Sequence, residues 1–285
     1  MMSSPAVSKE QKKDKKFLLI VIAASCLVAA MFGSRNSLSL TIEGIDQSQT
    51  LNYLQISFAF ALGQLVVGAI SPFAGMIADK YGSGKTLTVG ILLGLLGIIL
   101  IPYSTTAFTL SISLGVISSI GLGVAGLPVV LASVNRLIPQ NKVGMAFGLV
   151  NAGQSLGQLI LAPLAGFIIV NFGWILCILF LCTVLLLVLP FSFILRSRTD
   201  TKQPSGVQTK SLSETLRIAF NTPSYIYLVV GFFVCGFHVA FIATHMPGVI
   251  QVCGLPPTVS GWSLGLIGLF NIVGSIFAGW YISKR

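Results

Sequence analysis

Along this chain the apolar residues do not alternate with polar ones. They run in blocks, and about 20 consecutive apolar residues is the length at which an α-helix crosses the hydrocarbon core of a bilayer. Eight such blocks can be marked, at residues 17–42, 51–78, 86–104, 108–134, 143–170, 174–195, 224–250 and 258–282. The pattern predicts an all-α, polytopic membrane protein with eight transmembrane helices. Most connections are short, so successive helices are expected to be antiparallel neighbours. The exception is 196–221, polar and basic, with Pro204-Ser205-Gly206 at its centre. It reads as a cytoplasmic linker between a six-helix bundle (1–195) and a second, two-helix unit (222–285). Within the linker, LSETLRIAF at 212–220 suits a short amphipathic surface helix and a disordered tether equally well.

Composition sharpens this picture. A hydrophobic share of 54% with 8% charged residues lies far outside the range of soluble domains. The net charge of +10 would suit a nucleic-acid binder, but its distribution excludes that reading. The basic residues fall at the N-terminus (Lys9 to Lys16), in the second-to-third connection (Lys80, Lys85) and in the fourth-to-fifth (Arg136, Lys142). They recur in the linker and at Lys284 and Arg285, all on one side if the helices alternate. The other side carries Glu43 and Asp46, with Arg35 as its one basic residue. By the positive-inside rule both termini are expected in the cytoplasm, in a multi-pass protein of the inner membrane. The basic stretch before Phe17 resembles the start of a signal peptide, yet the following apolar run exceeds the usual h-region and further spans follow. It is read as an uncleaved first helix. Five cysteines lie in or beside the blocks without metal-like spacing, so they read as packing residues, and neither metal nor cofactor is expected.

The stretch DKYGSGKT (79–86) ends like a phosphate-binding loop, but Asp79 stands where the first glycine belongs and no strand precedes it. GLGVAG (121–126) spells a dinucleotide fingerprint and GQSLG (153–157) a nucleophile elbow, with Asp200 and His238 in hydrolase order. Both lie inside apolar helices, where spaced glycines serve close helix packing. Enzyme chemistry is not expected.

Read with its flanks, GMIADKYGSGK (75–85) resembles the loop signature of the major facilitator superfamily, G-x-x-x-D-[RK]-x-G-x-[RK]-[RK]. Gly75, Asp79, Lys80, Gly82 and Lys85 match, while Gly84 stands where a basic residue is common. Segments 136–174, 32–37 and 231–247 are similar to bacterial monocarboxylate and oxalate–formate porters of that superfamily. The resemblance implies a secondary carrier working by alternating access, with the 75–85 loop as an inner gate. Gly75 would admit a close helix neighbour, Gly82 a tight turn, and Asp79 would accept from a helix N-terminus or a basic side chain. GWYISKR (279–285) follows the eighth helix as the signature follows the second, a weak internal repeat. If the repeat is real, the chain lacks the last four helices of its second half. A truncated, transport-incompetent membrane protein is then the alternative reading. Helix four lacks the arginine of the family's proton-linked motif, and Ala162-Pro163 replaces the drug-antiporter pattern of helix five.

Polar residues inside spans usually face a cavity or a partner helix. Asn151, Gln154 and Gln158 (i, i+3, i+7) share one face of the fifth helix, roughly 10–22 Å from its inner end at 1.5 Å per residue. Gln64, His238 and Asn271 lie at similar depths in the second, seventh and eighth. Together they form a candidate substrate-binding girdle at the midplane, with interhelical hydrogen bonding as the competing explanation. Arg35 is roughly 27 Å from Phe17 along the first helix, which places it near the outer boundary. There it would snorkel or attract an organic anion. His238 and His245 share a helix without a neighbouring carboxylate, which argues against a metal site. The expected partners are the lipid bilayer and a small organic anion, with a coupling proton or counter-substrate left open.

Overall fold

One glycine makes the turn between the second and third spans. The second helix (Tyr53–Tyr81) ends and the third (Ser83–Ile99) begins on either side of Gly82, whose φ of 91° is accessible to glycine and strained for other residues. The expectation of a tight turn there holds. Gly173, at φ 85°, does the same between the fifth and sixth helices (Gln140–Phe172 and Trp174–Val188). The second helix is started by a capping box: Asn52 Oδ1 accepts from the Gln55 amide at 3.0 Å, and the Asn52 amide donates to Gln55 Oε1 at 3.1 Å.

The structure, a computed structural model, describes residues 5–48, 51–196 and 217–283. The described residues contain eight helices long and apolar enough to cross a membrane. The spans run Asp14–Gln47, Tyr53–Tyr81, Ser83–Tyr103, Ala107–Leu137, Gln140–Phe172, Trp174–Ile194, Pro223–Val252 and Pro257–Gly274. Each lies on its expected block. The linker's Pro204-Ser205-Gly206 and most of the amphipathic segment lie outside the described residues, as do Asp200, Lys284 and Arg285.

Small residues set the packing, because lipid gives apolar helices no hydrophobic reason to associate and close backbone contact must serve instead. A Cβ added at Gly157 would lie 2.1 Å from the Ala29 carbonyl oxygen, and one at Gly153 2.7 Å from Ser25 Cβ. The elbow-like glycines therefore seat the fifth helix on the first. The fingerprint-like Gly121 presses on the third helix, 2.0 Å from the Gly94 nitrogen by the same measure. Gly261, Gly265 and Gly268 seat the eighth helix on the fifth at Ala162, Pro163 and Ser155. Leu27, Ile56, Leu87, Ile91, Ile178 and Leu185 fill the interior, while Leu65, Leu96, Phe167, Leu187 and Phe232 stand exposed, as a surface bathed in acyl chains requires.

Two elements differ from the sequence-based expectation. The first helix (Pro5–Leu38) does not stop near 42; a 3₁₀ turn at Ser39–Thr41 carries it into a further helix, Ile42–Ser48. Arg35 is accordingly well inside the span and not at its outer boundary. The fourth span is broken. It winds as a π-helix over Ser111–Ser118, resumes as α at Ser119–Val124, and restarts at Leu127–Leu137 after Ala125 and an extended Gly126. Pro128 in the new first turn lacks the amide that would continue the helix before it.

The seventh helix (Pro223–Val252) meets the first unit only near its C-terminal end, the outer one in the expected orientation. Ala243, Thr244, Pro247 and Gly248 are its buried residues, and its inner half is exposed.

Candidate functional site

Arg35 and Gln64 face each other across the first and second spans. The Arg35 Nη2 group donates to Gln64 Oε1. Gln64 lies roughly 16 Å from the Tyr53 end of its helix at 1.5 Å per residue, which fixes the guanidinium near mid-span. Among the described residues this is the guanidinium's one hydrogen bond, and Arg35 forms no ion pair. A guanidinium offers five N–H donors. One neutral amide oxygen leaves most of them, and the positive charge, unanswered among the described residues.

Cavities open on both sides of this bond. The one nearer the N-terminal end of the first span is called inner, after the orientation expected from the charge pattern. It has about 180 Å³ and is bounded by Val28, Met31, Phe32, Val67 and Leu127, with Arg35, Ser71 and Gln154 as its polar groups. Its floor includes the break in the fourth span, Gly123 to Pro128. The outer one, of about 30 Å³, is lined by Asn36, Ser39, Gln64, Ser118, Ser119 and Thr244 among others, with Thr244 coming from the seventh helix. Arg35 and Leu122 belong to both walls. Gly63 allows this arrangement, since a Cβ there would lie 2.7 Å from Ser119 Oγ, holding the second and fourth helices close.

The remaining girdle residues are not gathered here. Gln154 reaches the inner cavity, and among the described residues its amide has no protein hydrogen bond. Gln158 is 4% exposed and packs where Gly268 of the eighth helix crosses. Asn151 and Asn271 are exposed. His238 is exposed too, its Nδ1 2.8 Å from the Val234 carbonyl of its own helix. His245 meets the first unit instead: its Nδ1 is 3.4 Å from the Tyr53 hydroxyl, and the Tyr53 side chain occupies a notch left by Gly248. No group of three or more His, Cys, Asp or Glu residues among the described residues is placed to hold a metal ion.

At the inner end, Asp79 accepts from Arg136 at the end of the fourth span. Of the two partners named for Asp79, the structure selects the basic side chain. Lys142 pairs with Asp14 at 2.7 Å and lies over the Phe17 ring at 5.2 Å, joining the fifth span to the first. Lys80 lies over Tyr81, and Lys85 is exposed. At Gly75 a Cβ would meet nothing within 4 Å among the described residues, so the close helix neighbour that the resemblance implies is not among them. Gly84 has such a neighbour. A Cβ at Gly84 would stand 2.9 Å from Arg196 Cβ and 3.1 Å from the Ser192 carbonyl oxygen. The neighbouring Ser83 hydroxyl donates to the Leu195 carbonyl at 2.7 Å. Where a basic residue is common in the signature, this chain has a contact between the third helix and the end of the sixth.

Sequence reasoning missed the helix break, although Gly126 and Pro128 two residues apart in an apolar run are a legible breaker signal. It also left Arg136 as a topological charge without a partner.

The family model of the Major Facilitator Superfamily matches residues 21–285, and the chain belongs to that superfamily. The riboflavin transporter RibZ of Clostridioides difficile (strain 630) is 28% identical over 162 residues, 57% of this chain and 35% of that protein. Monocarboxylate transporter 12 of Rattus norvegicus is 23% identical over 264 residues, 82% of this chain and 54% of that protein. Among solved structures, a bacterial homologue of the human lysosomal transporter Spinster, in an inward-facing and unoccupied conformation, superposes with a TM-score of 0.71 at 16% identity. That match covers 94% of this chain and 63% of the other and establishes the fold alone. The chain spans about half the length of the curated relatives it matches. These relatives are transporters, which agrees with a chain that is not an enzyme.

Proposed function

We propose that this chain is part of a secondary carrier for a small, monocarboxylate-like organic anion, working by alternating access in the inner membrane with its N-terminus cytoplasmic. The observation that carries this reading is the mid-span guanidinium of Arg35, which opens on two cavities and has one neutral oxygen as its partner among the described residues. A charge at that depth is costly unless something compensates it, and a carboxylate matches the guanidinium fork in geometry and sign. Gln154 supplies a second polar contact across the inner cavity, and the aliphatic wall accommodates the rest of the solute. The Asp79–Arg136 pair serves as the inner latch, and Tyr53 in the Gly248 notch closes the opposite end. A coupling proton or counter-substrate completes the cycle.

The test is the thermal unfolding midpoint of the purified protein in propionate and in propionamide. Propionate is expected to raise the midpoint and the uncharged amide to leave it unchanged, with the difference abolished in Arg35→Leu. Equal effects of the two solutes would remove the anion site.

A further inference from the structure

We propose that Gln64 is not a solute ligand but a place-holder for one. Its side-chain oxygen occupies the Arg35 guanidinium in the empty protein, separates the outer cavity from the inner, and leaves when a carboxylate arrives. This rests on the reading of Arg35 as the anion's anchor and adds how the anchor is kept ready.

The chemistry favours the exchange. A neutral amide oxygen is a poorer acceptor for a guanidinium than a carboxylate, which carries the opposite charge and can engage both prongs of the fork at once. The amide therefore holds the side chain in position without competing to the end. It also spares the protein a permanent carboxylate, which would neutralise Arg35 and close the site to any other anion. Once released, the Gln64 amide has polar company in the outer cavity: Asn36, Ser118, Ser119 and the buried Thr244. Ser118 and Ser119 donate to the Leu114 carbonyl, which leaves their oxygens free to accept.

The two cavities differ in what they admit. An apolar cavity of about 150 Å³ accepts benzene, so the inner one, at about 180 Å³, suits a solute of roughly six or seven non-hydrogen atoms. The outer one, at about 30 Å³, holds a water-sized group. A solute seated in the inner cavity can reach outward only if the Arg35–Gln64 bond opens, and its own carboxylate is the group that opens it. A place-holder of this kind lowers apparent affinity by the fraction of time that the guanidinium is occupied.

Two measurements on the purified 285-residue protein test this. The first is the rate at which butane-2,3-dione, an arginine reagent of a size the inner cavity admits, modifies Arg35, followed by mass spectrometry of its peptide with and without propionate. The second is the propionate dissociation constant. In Gln64→Leu, Arg35 is expected to react about fivefold faster and propionate to bind about fivefold more tightly, since a bond to a charged group has been removed from the competition. In Gln64→Glu, an internal ion pair takes the guanidinium, and both reaction and binding are expected to fall by about tenfold or more. Weaker propionate binding in Gln64→Leu would make Gln64 an ordinary ligand and overturn the proposal. So would an unchanged Arg35 reaction rate with propionate still protecting the native protein, which leaves the anion site intact. If propionate protects Arg35 in no variant, the anion site itself fails and the place-holder role falls with it. Should Gln64→Leu not fold, Gln64→Glu decides the matter alone, because undiminished propionate binding there is incompatible with a guanidinium that an internal carboxylate can claim.

Discussion

Arg136, at the end of the fourth span, donates to the carboxylate of Asp79 at the end of the second, so the loop signature is tied to the fourth helix of its own unit. The side chains are 32% and 55% exposed, and an ion pair so placed contributes less than about 1 kcal/mol to stability. Under the proposed gate role, its value lies in which state it closes. Asp79→Asn is expected to leave the unfolding midpoint and propionate binding near their native values while slowing transport in proteoliposomes. The exchanged pair Asp79→Arg with Arg136→Asp should recover part of that rate. Equal loss of binding and transport would count against a gate.

Gly84 makes a sharper prediction because it departs from the signature. Restoring a basic residue with Gly84→Arg would drive a side chain into the backbone of Ser192 and Arg196. Overpacking of this kind costs about 1–3 kcal/mol, so the thermal midpoint should drop and the yield of folded protein with it. A variant as stable as the native chain would mean that the end of the sixth helix moves aside freely.

Two glycines chosen by the same reasoning should behave in opposite ways. Gly157→Ala places a Cβ against the Ala29 backbone and is expected to destabilise by about 1–3 kcal/mol. Gly75→Ala places one in open space and should fall within about 0.5 kcal/mol of native, since substitutions away from such features do little. Chemical unfolding of the two variants side by side is the measurement.

Within the fifth helix, Gln154→Leu is expected to weaken propionate binding about tenfold, the loss of one hydrogen bond to a charged group. Asn151→Leu and His238→Ala, both remote from the cavities, should leave it unchanged. Isotherms for the three variants separate a cavity-lining residue from polar neighbours at similar depth.

The contrast between Gln154 and Asn151 shows what the sequence could and could not tell. Eight helices were legible because bilayer thickness dictates the length of an apolar run, and each block became a span. Depth was legible too, since residue count converts to distance along a helix. Azimuth was not. In a soluble helix the buried face announces itself by hydrophobic periodicity, but in lipid the outer face is as apolar as the inner one. Asn151, His238 and Asn271 thus lie on faces that line neither cavity. Arg35 failed in the other coordinate. The turn at Ser39–Thr41 continues the first helix as a 3₁₀ segment, which no breaker residue marks, so the end of the span was set too early.

The break in the fourth span gives that helix a mechanical character. Leu127–Leu137 is a short rod with Pro128 in the wall of the inner cavity and Arg136 in the inner latch, roughly 12 Å apart at 1.5 Å per residue. Ala125 and Gly126 alone join it covalently to the rest of its span, so the two pieces are hinged there and not continued as one helix. In the proposed carrier, a solute pressing on the cavity wall beside that hinge would swing the far end of the rod, where the charge pair sits, through the longer arc.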